Sequence, residues 1–250
     1  MSADDHALAR DLAEQAGRRL LELRARGGEP DLLRKAGDRR SHEFLATELA
    51  ARRPGDVVLS EEGADNPARL AAGRVWIVDP LDGTREFGEP GRTDWAVHVA
   101  LWDRTAAGLT AGAVALPARD RVLSTAAPAG PPAGGEGNGP VRIVVSRSRA
   151  PRLVYDLSHL LGAELVPLGS AGAKVAAVVY GEADAYVHAG GFYEWDTAAP
   201  VAVARAAGFH ASRIDGSPLA YNQADLLMPD ILVCRPALSG ALLQAIRKVM

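Results

Sequence analysis

The feature that most constrains this chain is an apolar run that ends in two acidic residues. The run from Val75 to Val78 has the composition of a buried β-strand, and Asp79 and Asp82 follow it. Pro80 cannot donate a hydrogen bond to a central ladder, and Gly83 permits a tight turn. Two carboxylates are therefore predicted to project from one strand end. Oxygen ligands of this kind are what Mg²⁺ prefers in proteins.

Two further acidic clusters lie at predicted element boundaries. Glu61 and Glu62 follow a short apolar strand, whereas Glu194 and Asp196 precede a helical pattern far downstream. Asp-Pro and Asp-Gly are ordinary turn dipeptides, so the strand-end aspartates alone are also consistent with a plain turn. Three acidic clusters are more than turn chemistry needs, and together they predict a site for divalent cations.

Composition narrows the classes of function. At 250 residues the chain is long enough to bury a sizeable core, and its formal net charge of -3 argues against nucleic-acid binding by bulk electrostatics. The single cysteine, Cys234, excludes an internal disulfide and a cysteine-based zinc site. No apolar run approaches the ~18 residues of a membrane span. The N-terminus is acidic where a signal peptide is basic, so a cytoplasmic protein is expected.

The periodicity of the chain predicts two subdomains. Apolar steps of three and four residues predict a helix from about Asp4 to Arg26, and a second helix is predicted to begin at Ser41, which can cap it. Strand patterns dominate the remainder of an N-terminal α+β unit, residues 1–127. Pro128 to Pro140 is rich in proline and glycine and predicts a connecting loop. Residues 140–250 alternate strand and helix patterns, which is typical of an α/β unit.

Three motifs resemble those of the lithium-sensitive, magnesium-dependent sugar and nucleotide phosphatases, a family that includes inositol monophosphatase, fructose bisphosphatase and 3'(2'),5'-bisphosphate nucleotidase. The motifs are Ser60-Glu61-Glu62-Gly63, the segment from Trp76 to Thr84, and Trp195-Asp196-Thr197-Ala198-Ala199, in the family's order and approximate spacing. The resemblance implies an α/β (α+β) fold built as a layered α-β-α-β-α sandwich. It also implies hydrolysis of phosphate monoesters with two or three Mg²⁺ ions.

The same resemblance assigns roles to individual residues. The implied metal ligands are four acidic side chains and one backbone carbonyl, namely Glu61, Asp79, Asp82, Asp196 and the carbonyl of Leu81. Asp38 is implied to hydrogen-bond Thr84, and these two residues to orient the attacking water, with Glu62 as a nearby acid. Asp38 lacks the family's usual Thr-x-Ala-Asp context, and a helix cap is the competing interpretation of this residue.

Other stretches resemble the nucleotidase branch. Arg85-Glu86-Phe87 follows Asp-Gly-Thr where nucleotidases typically have Lys-Glu-Phe. Ser146-Arg147-Ser148-Arg149 follows a strand and resembles the loop that holds a second phosphate or ribose, although a solvated loop is the alternative interpretation of Arg147 and Arg149. Ser170 and Lys174 resemble a Ser-Gly-x-Lys motif that faces the remote phosphate. The remaining implied substrate contacts are Gly83, Thr84 and Asp196.

Three residues qualify this assignment. Ala189 stands where inositol monophosphatases have a glutamate that takes substrate hydroxyls, which makes inositol a poorer fit, although Glu194 could partly substitute. His98 lies in a strand pattern with no acidic residue beside it in the sequence, and it is predicted to be structural rather than catalytic.

The predicted reaction is hydrolysis of 3'-phosphoadenosine 5'-phosphate to AMP and phosphate, with its sulfated form as a further substrate, in sulfate assimilation. The expected partner is thus a small phosphorylated nucleotide. Inositol phosphates and fructose 1,6-bisphosphate are alternative substrates. A non-catalytic regulator that binds nucleotide or metal is an alternative of a different class. Dimers are common in the family, and the sequence leaves a homodimer open.

Overall fold

The computed structural model describes residues 3–130 and 139–250. Residues 1–2 and most of the predicted connecting loop, residues 131–138, lie outside the described residues. Among the helices that are described, none combines the length and the apolar character needed to cross a membrane.

Two long helices open the chain, α1 (Ala3–Ala25) and α2 (Pro30–Arg52). The side chain of Glu29 accepts a hydrogen bond from the backbone N–H of Leu32 at 2.9 Å, and Pro30 occupies the first turn of α2. The predicted helix start at Ser41 is therefore wrong, because Ser41 lies in the middle of α2. Its buried hydroxyl donates instead to the carbonyl of Pro80 at 2.7 Å, which ties α2 to the strand that carries the aspartates.

The first sheet has five strands in the order β1-β2-β3-β4-β5. Their bounds are β1 (Val57–Ser60), β2 (Arg74–Asp82), β3 (Ala96–Asp103), β4 (Gly108–Leu116) and β5 (Arg121–Ser124), with the short helix α3 (Thr84–Gly88) after β2. β1 is parallel to β2, and the other neighbouring strands are antiparallel. β2 continues through Pro80, where its pairing with β3 shifts register between Asp79 and Asp82. The proline thus interrupts the ladder without ending the strand.

The second sheet has the order β7-β6-β8-β10-β9. Its strands are β6 (Arg142–Ser146), β7 (Glu164–Leu168), β8 (Ala185–Tyr193), β9 (His210–Ser212) and β10 (Leu227–Cys234). The helices of this half are α4 (Arg152–Leu161), α5 (Ala171–Val179), α6 (Glu194–Ala206) and α7 (Pro236–Val249). β6 is parallel to β7 and β8, whereas β10 is antiparallel to β8 and β9.

The two sheets and their helices form five layers. Alternate residues of β2 serve two cores, with Trp76 and Val78 packing under α1 and α2 and Val75 and Ile77 packing against the middle helices α5 and α6. Helices α4 and α7 cover the outer face of the second sheet. The layered α-β-α-β-α sandwich is therefore confirmed. Because α5 and α6 contact both sheets, the two predicted subdomains share one core, and their boundary stays a prediction.

Candidate active site

The predicted acids converge where β2 ends against the first turns of α5 and α6. Asp79 and Asp82 come from β2, and Asp196 comes from the first turn of α6. One ligand oxygen from each of these three residues lies within 4.8 Å of the other two. Glu61, in the turn after β1, reaches the carboxyl of Asp79. We call these four residues the acid cluster.

Burial and mutual repulsion disfavour the charged forms of three of these acids. Burial, with help from Glu61 and Asp82, raises the pKa of Asp79 well above its ordinary value. Burial and the neighbouring Asp82 raise the pKa of Asp196 to about 6. Partial burial and Asp196 raise the pKa of Glu61 to about 7. A cation among these oxygens would remove the repulsion, so the donor set fits a hard divalent ion such as Mg²⁺.

Asp82 differs from the other acids because it has donors of its own. Its Oδ2 accepts hydrogen bonds from the hydroxyl of Ser170 and, at 2.7 Å, from the backbone N–H of Gly172. The Nε2 atom of His98 lies 3.2 Å from the same oxygen. Burial alone would raise the pKa of Asp82, but His98 and Lys174 help to hold this pKa below its ordinary value. The first turn of α5 thus fixes the direction of this carboxylate.

The predicted pair of Asp38 and Thr84 is present beside the acid cluster. The Thr84 hydroxyl lies 3.1 Å from Oδ1 of Asp38 and 2.9 Å from the carbonyl oxygen of Leu81. A hydroxyl has one proton, so it donates to one of these acceptors at a time. Burial raises the pKa of Asp38 to about 6 even though the bond from Thr84 opposes this shift. Asp38 lies inside α2, which excludes the helix-cap interpretation.

Glu62 lies near the pair of Asp38 and Thr84. The exposed Glu62 is close enough to contribute to the raised pKa of Asp38.

Gly83 has a φ of 85°, and a Cβ at this position would lie 3.2 Å from both the carbonyl oxygen of Asp94 and the Cα of Trp95. Only glycine fits this left-handed turn without strain, so the backbone requires the glycine of the Asp-Gly-Thr motif.

The acid cluster opens into a cavity of about 760 Å³. Its wall includes six of the residues predicted to bind substrate, namely Gly83, Thr84, Arg85, Ser146, Ser170 and Lys174. Lys174 is only 4% exposed, and its ammonium group donates to the carbonyl of Gly169 at 3.0 Å. Burial lowers the pKa of Lys174 to about 8, although the surrounding carboxylates oppose this shift. A buried ammonium of this kind is a ready partner for an anionic group of a ligand.

A second cation lies near Lys174. Arg149 lines the cavity, and both cations help to lower the pKa of His188, which burial brings to about 4. We call Lys174 and Arg149 the basic cluster. His188 packs against Phe192, with ring centroids 4.4 Å apart, and both rings line the cavity beside the basic cluster. The cavity therefore combines acidic, basic and aromatic walls.

The predicted substrate contact of Arg147 is not what the structure shows. Its guanidinium donates to Glu86 at 2.7 Å and to Glu89 at 2.9 Å, and its side chain is not part of the cavity wall. The neighbouring residues Ser148 and Arg149 line the cavity instead. Sequence reasoning could not separate Arg147 from Arg149, because the direction of a loop side chain depends on its partners, which for Arg147 come from α3 and the residue after it.

The suggestion that Glu194 takes substrate hydroxyls is also wrong. Glu194 is only 1% exposed, and its two carboxylate oxygens accept the backbone N–H groups of Asn222 at 2.6 Å and Gln223 at 2.7 Å. Ala189 lines the cavity as expected and offers no polar side-chain atom. The cavity wall at these two positions thus lacks the acceptor that an inositol ring is predicted to need.

His98 was expected to lack an acidic partner, and the structure overturns this expectation. It pairs with Asp79 across the β2–β3 ladder, and its Nε2 lies 3.2 Å from Asp82. The register of β2 and β3 brings His98 to these acids, because residues opposite each other in a ladder share a face. Sequence proximity alone could not reveal this contact.

Comparisons with known proteins agree with this geometry. A family model described as the inositol monophosphatase family matches residues 6–250. The 3'-phosphoadenosine 5'-phosphate phosphatase of Mycobacterium leprae is 54% identical, over 98% of this chain and 94% of that protein. The 3'(2'),5'-bisphosphate nucleotidase CysQ of Escherichia coli K12 is 32% identical, over 75% of this chain and 78% of its own. The crystal structure of CysQ from Bacteroides thetaiotaomicron has a TM-score of 0.79 and 28% identity, covering 93% of this chain and 97% of that chain.

Proposed function

Since the chain belongs to the inositol monophosphatase family, we propose that it is a magnesium-dependent 3'(2'),5'-bisphosphate nucleotidase. Its proposed reaction is hydrolysis of the 3'-phosphate of 3'-phosphoadenosine 5'-phosphate, which yields AMP and phosphate. The sulfated form of this nucleotide is a further substrate in the proposal, which places the enzyme in sulfate assimilation. The 54% identity to a relative named for this activity supports the choice of substrate.

The observation that carries the proposal is the pairing of an acid cluster and a basic cluster in one cavity. A substrate with a single phosphate needs the acid cluster and its metal ions. A second phosphate needs a cationic partner besides these ions, and Lys174 and Arg149 offer positive charge in the lining of the same cavity. Two separate recognition sites for anions favour a bisphosphate over an inositol monophosphate.

The proposed metal ligands are Glu61, Asp79, Asp82, Asp196 and the carbonyl of Leu81. Two or three Mg²⁺ ions bound there would neutralise phosphoryl oxygens, stabilise the leaving oxygen and lower the pKa of a bound water. In the proposed reaction, Thr84 orients the attacking water and passes its proton toward Asp38. The pKa of about 6 makes Asp38 a suitable acceptor near neutral pH. Glu62 adds negative charge beside this pair.

The remaining residues hold the substrate in this proposal. The backbone N–H groups of Gly83 and Thr84 contact the phosphate that is cleaved, since both residues line the cavity beside the acid cluster. Arg85 stands at the mouth of the cavity. Ser146 supports the loop that carries Arg149 by accepting its backbone N–H, and Ser170 caps the helix that carries Lys174. Water attacks phosphorus, the bond from phosphorus to the 3' oxygen breaks, and that oxygen takes up a proton.

The proposal is tested by comparing turnover of three substrates in Mg²⁺. We expect kcat/KM for 3'-phosphoadenosine 5'-phosphate to exceed that for inositol 1-phosphate and fructose 1,6-bisphosphate by at least about 100-fold, the range expected when a charged contact is unique to one substrate. Lithium is expected to inhibit, as the family resemblance implies. A preference for inositol 1-phosphate would refute the nucleotidase assignment. Nucleotide binding without release of phosphate would favour a non-catalytic regulator.

Two broader predictions accompany the proposed function. We propose that the enzyme acts in the cytoplasm, and fractionation of cells followed by activity measurement tests this. We also propose residues 1–127 and 140–250 as subdomains of one phosphatase unit. Limited proteolysis between residues 127 and 140 should leave the two fragments associated, because α5 and α6 contact both sheets.

A further inference from the structure

We infer that His98 positions the metal ligands, because its buried ring lies between the carboxylate of Asp82 and the backbone of α6 next to Asp196. This inference rests on the proposed metal site and adds a residue that contacts neither the ions nor the substrate. His98 is thus a positioning residue, and its role is to set the separation between two acids that different elements supply.

The location of His98 places it between the two sources of ligands. It lies in the middle of the first sheet, opposite Asp79 in β2 and Val114 in β4, and its side chain is fully buried. Its Nδ1 lies 3.2 Å from the carbonyl oxygen of Trp195. A carbonyl only accepts hydrogen bonds, so Nδ1 is the donor. Trp195 precedes Asp196 in the first turn of α6, and this bond therefore locates the backbone that carries Asp196.

The other ring nitrogen faces the second element. Nε2 of His98 lies 3.2 Å from Oδ2 of Asp82, the same oxygen that accepts hydrogen bonds from Ser170 and Gly172. The imidazole ring is thus hydrogen-bonded to the start of α6 and packs against the carboxylate at the end of β2, while α5 holds that carboxylate from another side. An oxygen held by several protein donors leaves the remaining oxygen of Asp82 in a defined direction.

The ring itself has little freedom to move. A Cβ at Gly172 would lie 2.2 Å from Nε2 of His98 and 3.0 Å from a methyl carbon of Val114. The glycine therefore makes room for the imidazole against the first turn of α5. A smaller or apolar residue at position 98 would remove the hydrogen bond to Trp195 and the close contact with Asp82, so Asp82 and the first turn of α6 could move independently. Loss of such a supporting contact typically weakens metal binding about 10- to 100-fold.

Metal affinity in the absence of substrate tests the inference. His98→Leu keeps most of the side-chain volume and removes both nitrogens, and His210→Leu is the matched control because His210 lies in the edge strand β9 with Ser212 as its partner. Calorimetric titration with Mn²⁺ should show binding at least about tenfold weaker for His98→Leu and unchanged for the control. In turnover assays, the Mg²⁺ concentration for half-activation should rise at least about tenfold. The nucleotide KM at saturating Mg²⁺ should stay within about twofold of the wild-type value.

The outcomes separate this inference from the proposed function. Wild-type Mn²⁺ affinity in the His98→Leu variant, or an equal loss of metal and nucleotide affinity, would overturn the positioning role and leave the proposed function standing. Absence of Mn²⁺ binding by the wild-type protein would overturn both. If His98→Leu does not fold, His98→Asn gives the same test, because asparagine can still donate to the Trp195 carbonyl but is too short to reach Asp82. Weaker Mn²⁺ binding by this variant is the expected result, and wild-type binding would contradict the inference.

Discussion

The acid cluster and the basic cluster face one cavity but are built in different ways. The aspartates of the acid cluster lie at the end of β2 and in the first turn of α6, where main-chain and side-chain donors fix at least one oxygen of each. The basic cluster has one buried member, Lys174 on α5, and one exposed member, Arg149, in the loop after β6. The core therefore determines the geometry of the acid cluster, whereas a loop positions Arg149 of the basic cluster.

This difference separates chemistry from specificity. Residues that hold ions for bond cleavage must stay within tenths of an ångström of their places, which buried strand ends and helix starts provide. Residues that recognise a remote group can lie on a loop, since a loop can change without disturbing the core. We therefore expect substitutions in the acid cluster to abolish activity on every substrate, and substitutions at Arg149 to change the preference among substrates.

The largest effect is expected for Asp82→Asn. The substitution keeps the shape of the side chain and removes a charge from the acid cluster, so kcat should fall by at least about 10³-fold on all substrates. Circular dichroism should show an intact fold. Asp215→Asn is the control, because Asp215 is exposed and only caps the N–H of Ser217. Near-normal turnover by Asp82→Asn would break the assignment of this residue to metal binding.

A smaller and selective effect is expected for Arg149→Ala. Loss of a charge-assisted contact to the second phosphate should lower kcat/KM for 3'-phosphoadenosine 5'-phosphate about 10- to 100-fold. Turnover of adenosine 3'-phosphate, which lacks that phosphate, should change by less than about twofold. Arg152→Ala serves as the control, since the Arg152 side chain is 92% exposed. Equal losses on both nucleotides would show that Arg149 does not recognise the second phosphate.

Arg147→Ala should act on stability more than on substrate choice. The variant loses the ion pairs to Glu86 and Glu89 that fasten the loop after β6 to α3 and the residue that follows it. We expect a decrease in Tm of about 2–4 °C, which corresponds to about 1 kcal/mol in a protein of this size. The loss in kcat/KM should be about threefold, since the loop keeps Arg149. A selective loss on the bisphosphate larger than that of Arg149→Ala would reverse the roles given to the two arginines.

The smallest effect concerns stability without metal. The pKa of Glu61 is raised in the folded protein, so ionisation of this carboxyl lowers the free energy of unfolding. This loss of stability is absent near pH 4, develops as pH rises toward about 7 and is complete above that value. Glu61→Gln does not ionise and avoids the loss. Its metal-free Tm should therefore exceed that of the wild type by a margin that grows between pH 5 and pH 8 to a few degrees, because Glu61 keeps contact with solvent. Saturating Mg²⁺ should reverse the order. If the difference in Tm between Glu61→Gln and the metal-free wild type did not change with pH, the raised pKa of Glu61 in the acid cluster would be contradicted.

The sequence predicted the residues whose position depends on local motifs. Asp79, Asp82 and Asp196 stand at a strand end and a helix start, and both kinds of boundary are readable from periodicity and turn residues. The start of α2 differs from its prediction because Glu29 and Pro30 cap the helix, whereas Ser41 lies inside it. The sequence carries both capping signals, and only the first one begins a helix.

Other residues depend on partners that are distant along the chain. The direction of Arg147 is set by Glu86 and Glu89, and the environment of His98 is set by the register of β2 and β3 and by the approach of α6. Neither contact can be derived from spacing along the chain. Long-range pairing therefore limited the prediction of the basic cluster and of the support behind the acid cluster.

The central claim is that the acid cluster holds divalent ions facing a phosphate ester. Anomalous diffraction from crystals soaked in Mn²⁺, with Mn²⁺ in place of Mg²⁺, tests it most directly. We expect anomalous peaks about 2.0–2.3 Å from oxygens of Asp79, Asp82 and Asp196, at distances typical of hard divalent ions and carboxylates. Peaks confined to other acidic residues, or no peak at the acid cluster at saturating Mn²⁺, would contradict it.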